Sequence, residues 1–157
     1  MNVQLTPMPD DRLAEWILAS QEAFRLSRIE AGESEELAGL RAAESTERFF
    51  GTGAPLPLHQ VFDVVIPDAG GTVVGYLWIG PQFGSTSDWW VWDVEIAEAH
   101  RRNGYARQAL QLGEAEARAL GAQSIGLNVF GFNTGAQALY ETLGYRIAAV
   151  NMSKRLN

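Results

Sequence analysis

At 157 residues, 46% hydrophobic, with 16 aromatic side chains and no cysteine, the chain fits a single soluble domain spanning 1–157 and excludes disorder, disulfides, thiolate catalysis and cysteine-based metal sites. It has no run of about 18 apolar residues and no basic, apolar leader, which argues against a membrane span or secretory signal and for a cytoplasmic protein. The formal charge of −7 falls within residues 1–68, with 12 acids and 5 bases, and vanishes over 69–157, with 7 of each, so nucleic acid and anionic membranes find no electrostatic footprint.

The first half reads as helical. Leu13, Trp16, Ile17, Ala23, Phe24 and Leu26 follow a 3.6-residue period after the start signal Pro9-Asp10-Asp11. A second helix begins near Glu33 or Ser34 and runs to Phe49-Phe50, where Gly51-Thr52-Gly53-Ala54-Pro55 stops it. Strands follow at 59–66 and 72–79, joined by the turn Pro67-Asp68-Ala69-Gly70-Gly71, and a third at 89–96. Ala106, Ala109, Leu110, Gly113, Ala117 and Leu120 then line one side of a helix that ends at Gly121. A short strand at 124–129, a helix from Thr134 to Leu143 and a last strand from Tyr145 to Leu156 complete the chain. Antiparallel strands followed by β-α-β-α-β place the fold in the α/β class, with a mixed, partly parallel sheet.

The chemistry concentrates where the strand ending at Ile96 runs through Arg101, Arg102, Asn103 and Gly104 into a helix opened by Tyr105 and Ala106. A helix N-terminus has unpaired N–H groups and the positive end of the dipole, so it holds phosphate or pyrophosphate. Gly104 lets the backbone approach an anion, and the arginines add charge-assisted contacts. Asp93 and Glu95 alternate with Trp92, Val94 and Ile96 and are expected on one strand face. Two carboxylates that close, beside several tryptophans, push one pKa upward, which suits a base, an ammonium site or an ion pair. Trp89, Trp90 and Trp92, with Trp78 and Phe83, fit either an aromatic pocket or core packing. His59 and His100 read as surface or packing residues, and no ligand spacing supports a metal. There is no nucleophile elbow or phosphate-loop motif to support a hydrolase or a nucleotide triphosphatase.

Arg101-x-x-Gly104-x-Ala106, followed at the expected distance by Asn133-x-x-Ala136-x-x-Leu139-Tyr140-x-x-x-Gly144-Tyr145, resembles the two cofactor segments of the GNAT superfamily of N-acetyltransferases. The resemblance is specific from about Trp89 to Tyr145 and architectural before it. It implies a single-domain GNAT-like fold using acetyl-CoA as co-substrate. By that resemblance Val94, Glu95 and Ile96 face the pantetheine arm and thioester, and residues 101–106 cradle the pyrophosphate. It further implies that Asn133 contacts the pantetheine or acetyl end and that Tyr140 protonates the departing thiolate. Glu95 first and Asp93 second are the carboxylates expected to take the amine proton. Many relatives carry a carboxylate in the following strand, where this chain has Asn128.

The expected activity is direct acetyl transfer to a primary amine on a small molecule or peptide, a ping-pong route through a thiol being closed without Cys. The alternative is a non-catalytic CoA-binding or regulatory module of the same fold. Only 13 residues follow Gly144, so the last strand either covers the sheet alone or is completed by a partner copy in a homodimer.

Overall fold

Five strands form one mixed sheet whose spatial order is that of the sequence, β1-β2-β3-β4-β5. The computed structural model describes residues 1–157. In chain order the elements are β1 (Gln4–Pro7), α1 (Asp10–Glu30), α2 (Glu35–Phe50), β2 (Gln60–Ile66), β3 (Thr72–Pro81), β4 (Asp88–Ile96), α3 (Tyr105–Ala119), β5 (Ser124–Leu127) and α4 (Thr134–Thr142). The first four strands are antiparallel neighbours, and β5 joins β4 in parallel through the α3 crossover. No helix is long and apolar enough to cross a membrane.

Local chemistry sets the helix ends. Ser34 caps α2 by accepting from the Leu37 N–H, and Asp10 and Asp11 place negative charge in the first turn of α1. The Arg12 guanidinium grips Asp63, the charged residue least exposed to solvent, through Nε and Nη2 at 2.6–3.1 Å and so ties α1 to β2.

The two faces of the sheet are covered differently. On one, α3 packs Ala109, Leu110, Gly113 and Ala117 against Leu77, Ile79, Trp89 and Val91. Gly113 lets the helix sit close, because a Cβ there would lie 2.5 Å from Leu77 Cδ2. On the other, α1 and α2 bring Leu13, Trp16, Phe49 and Phe50 onto Val61 and Trp78. Trp16 meets Phe50, Tyr76 and Trp78 edge to face, with centroids 5.4–5.9 Å apart.

The expected last strand does not form. From Arg146 to Asn157 the chain has no helix or strand and every residue is exposed, including Ile147, Val150, Met152 and Leu156. The apolar positions change phase between Ala149 and Val150, so no single face runs the length of the segment for a sheet to bury. The neighbouring strand is also shorter than expected, ending at Leu127.

Candidate active site

The loop from Arg101 to Gly104 is shaped by two left-handed residues, Arg102 (φ 66°) and Gly104 (φ 78°). The Asn103 amide stitches it together by donating to the His100 and Arg101 carbonyls at 3.0 Å. Helix α3 has no side-chain cap at Gly104, and its first backbone bond runs from the Gln108 N–H to the Gly104 carbonyl. The N–H groups of residues 102–107 therefore have no partner within the chain, and a Cβ built on Gly104 would meet nothing within 4 Å. Unpaired donors around open space at a helix N-terminus fit a pyrophosphate. Arg102 is exposed at this loop. Arg101, also exposed, folds back on β4, donating from Nε to the Ile96 carbonyl at 2.9 Å and standing 3.5 Å from Glu95.

Strand β4 ends its pairing with β5 at Val91 opposite Leu127. Beyond that point the two separate, so Val94, Glu95 and Ile96 line an open splay leading from the N–H cradle. An extra residue in β4 sets what faces each side. Trp78 pairs with Asp93 while Ile79 pairs with Val91, leaving Trp92 as a bulge. Trp89 and Val91 face α3, and Val94 and Ile96 pack with the same core. Trp92 therefore shares the α1–α2 face with Asp93 and Glu95, rather than opposing them as strict alternation predicts.

The two carboxylates share a face, as expected, but not an environment. Glu95 is half-exposed and ion-paired with Arg101. Asp93 is buried, and burial pushes its pKa up to about 6 despite the hydrogen bond from Tyr76. The Tyr76 hydroxyl lies 3.1 Å from Asp93 Oδ2 and 3.2 Å from Glu95 Oε2. It has one proton and donates to one of them at a time. Burial and both acids keep that phenol protonated. Ser20 of α1 donates to Asp93 from 3.4 Å. Tyr76 and Ser20 were missed in the sequence. Period-two alternation puts Tyr76 on one face with Trp78, but only the β3–β4 register sets it opposite Glu95. Ser20 had no signal at all.

Tyr140 on α4 is half-buried, and burial together with the Asp93 charge raises its pKa, so it faces the splay as a protonated phenol. Asn133 caps α4, its Oδ1 accepting from the Ala136 N–H at 3.3 Å, while it lines the same cleft. Asn128 lies exposed just past β5. The aromatic residues divide: Trp89 and Trp78 are core, whereas Trp90, Trp92 and Phe83 line the cleft. His59 is a packing residue, accepting from Trp78 Nε1 at 3.1 Å and facing the Pro81 carbonyl at 3.1 Å, with its pKa lowered by burial. His100 ends a 3-10 turn before the cradle. No cluster of metal-ligating side chains is present.

A cradle of free N–H groups, a splayed parallel strand pair and an acid beside a phenol thus share one cleft, an arrangement suited to acyl transfer. Residues 19–145 match the acetyltransferase (GNAT) family, and the chain belongs to that family. It is 28% identical to the uncharacterized N-acetyltransferase YycN of Bacillus subtilis (strain 168), over 99% of this chain and 100% of the relative. It is 26% identical to the uncharacterized N-acetyltransferase YdgE of the same strain, over 99% of each. The crystal structure of the Bacillus subtilis YycN acetyltransferase superposes with a TM-score of 0.89 at 27% identity, covering 99% of both chains.

Proposed function

We propose that the protein transfers the acetyl group of acetyl-CoA directly to a primary amine. One observation carries this reading: the β4–β5 splay opens between unpaired N–H groups at residues 102–107 and the side chains of Asp93 and Tyr140, which line one cleft. In the bound complex acetyl-CoA supplies an activated thioester. The N–H groups at 102–107 hold its pyrophosphate, and the free edge of β4 at Val94, Glu95 and Ile96 aligns the arm by backbone contacts.

The acceptor arrives as an ammonium, which has no lone pair for attack. Asp93 and Glu95 attract the cation, and Asp93, with a pKa of about 6, takes its proton directly or through water. Near neutral pH Asp93 is mostly ionised and still basic enough to act. Glu95, held by Arg101 and open to water, serves as the electrostatic partner, which reverses the order expected from sequence. As the nitrogen bonds to the acyl carbon and the carbon–sulfur bond breaks, the Tyr140 hydroxyl donates its proton to the sulfur.

Titration with acetyl-CoA followed by an assay of CoA release across a broad amine panel tests the reading. Saturable binding with amine-dependent release is the expected result; binding with no turnover on any amine would sink it. The side chain added by Gly104→Asp meets no other atom of the protein, but aspartate is held at φ 78°, a strain of about 1–2 kcal/mol. The variant should therefore remain folded and lose acetyl-CoA affinity by about 100-fold or more through steric and anionic conflict; circular dichroism and denaturant unfolding check the fold.

A further inference from the structure

The cleft lined by Asp93 and Glu95 also takes in Phe49, Trp92, Phe83 and Arg48. Phe49 lies 4.6 Å from Trp92, and Phe83 lies 5.2 Å from Phe49 and 6.3 Å from Trp92, all between ring centroids. Over Phe83, 3.7 Å from its ring, sits the guanidinium of Arg48. Arg48 is exposed and has no carboxylate within salt-bridge distance. It also borders a small adjoining cavity of about 290 Å³ with Arg28, Arg41 and Glu44. Arg28 is held by Glu33 at 2.5–2.7 Å and Arg41 stands 3.8 Å from the same acid. Residues 1–68 hold 12 acids and only 5 bases, yet three of those five bases gather at this mouth, and Arg48 is left without a counter-ion.

We propose that the acceptor is an elongated amino-carboxylate, its ammonium held at Asp93 and Glu95 and its carboxylate at Arg48. The reading rests on the transfer function and names its substrate class. A planar guanidinium fixed on an aromatic ring presents its N–H edge ready-aligned, which suits a carboxylate fork. The aromatic wall favours an apolar or aromatic body between the two charges. An amine lacking the distal anion leaves Arg48 unused, and a polyamine meets a like charge there.

The test uses the full chain and a matched pair of compounds, para-(aminoethyl)benzoate and its neutral benzamide. With acetyl-CoA, the wild type should favour the acid by about tenfold in kcat/KM, carried by KM. Arg48→Gln should bring the acid-to-amide ratio close to one, and Arg48→Lys should recover part of it. A ratio that persists in Arg48→Gln, or is absent from the wild type, overturns the proposal. Binding of both compounds, read by tryptophan fluorescence, separates this idea from the function beneath it. Arg48-dependent binding of the acid without transfer of acetyl to either compound supports the recognition site and counts against the transfer reading. No binding of either compound overturns the recognition site.

Discussion

The two faces of one sheet make opposite use of the same strands. Towards α3 the contact is dry and close, built from Ala109, Leu110, Gly113 and Ala117 over fully buried Leu77, Ile79 and Trp89. Towards α1 and α2 the packing is aromatic and stays open enough to leave Asp93, Glu95, Tyr76 and Trp92 lining a cleft. Strand β4 belongs to both, and its bulge at Trp92 is the switch between them. In the proposed reaction the chemistry lies mainly on the open face, with Tyr140 reaching it from beside the α3-side core. Lesions on the open face should cost turnover, and lesions on the closed face should cost stability.

The largest expected effect is that of Tyr140→Phe. The ring and its packing remain, so acetyl-CoA affinity should survive while kcat falls roughly 100- to 10,000-fold. Steady-state turnover under conditions where chemistry limits the rate reads this directly, and a near-normal kcat would remove Tyr140 from the reaction.

Asp93→Asn breaks the comparison from the other side. Loss of the base should lower kcat/KM by about 100-fold, yet the variant should be the more stable protein at neutral pH. Asp93 has its folded pKa raised from 3.8 to about 6, so the native state binds the proton more tightly than the unfolded chain does. Its ionisation therefore costs stability as pH rises through that interval. Asparagine removes a cost of about 1–3 kcal/mol near neutrality, and the gain should vanish below about pH 4. Denaturant unfolding of both proteins at the two pH values measures it; a variant less stable than wild type at neutral pH would mean that the hydrogen bonds to Asp93 outweigh its desolvation.

Gly113→Ala probes the closed face. The new methyl must displace the Leu77 side chain in a filled core, which should cost about 1–3 kcal/mol by chemical denaturation. Turnover at low temperature should hardly change, because α3 meets Leu77 on the face away from Asp93. A kcat loss exceeding the stability loss would show that the two faces are coupled.

Tyr76→Phe should give the smallest change. The hydroxyl lowers the Asp93 pKa, so its removal should shift the acid limb of the pH–rate profile upward by less than about one unit. Turnover above that limb should largely persist. An unmoved limb would show that the group titrating in the profile is not Asp93.

Most of the frame was legible before any coordinates. Proline and glycine punctuation, the 3.6-residue stripe of small residues on α3 and the strand-forming runs located eight of the nine elements to within a few residues, because each signal is local. The four-residue β1 was too short to stand out, and the run after Tyr145 was read as a strand that does not form. The cradle was legible for the same reason, since Gly104 and the helix start sit side by side in the chain. Tyr76 and Ser20 were not, because they reach Asp93 from a neighbouring strand and from α1.

Eight of the elements, the glycine-containing loop before α3 and the two carboxylates on one strand follow from the sequence alone, since these depend on residues near one another along the chain. Tertiary structure alone decided which acid is buried, that Trp92 stands beside Asp93 rather than opposite it, and that residues 146–157 form no strand. It also brought Arg48 over Phe83, in the cleft that Asp93 and Glu95 line. Each of these depends on register, on a single extra residue in β4 or on desolvation by distant helices. Such terms arise only when segments far apart in the chain are brought into contact.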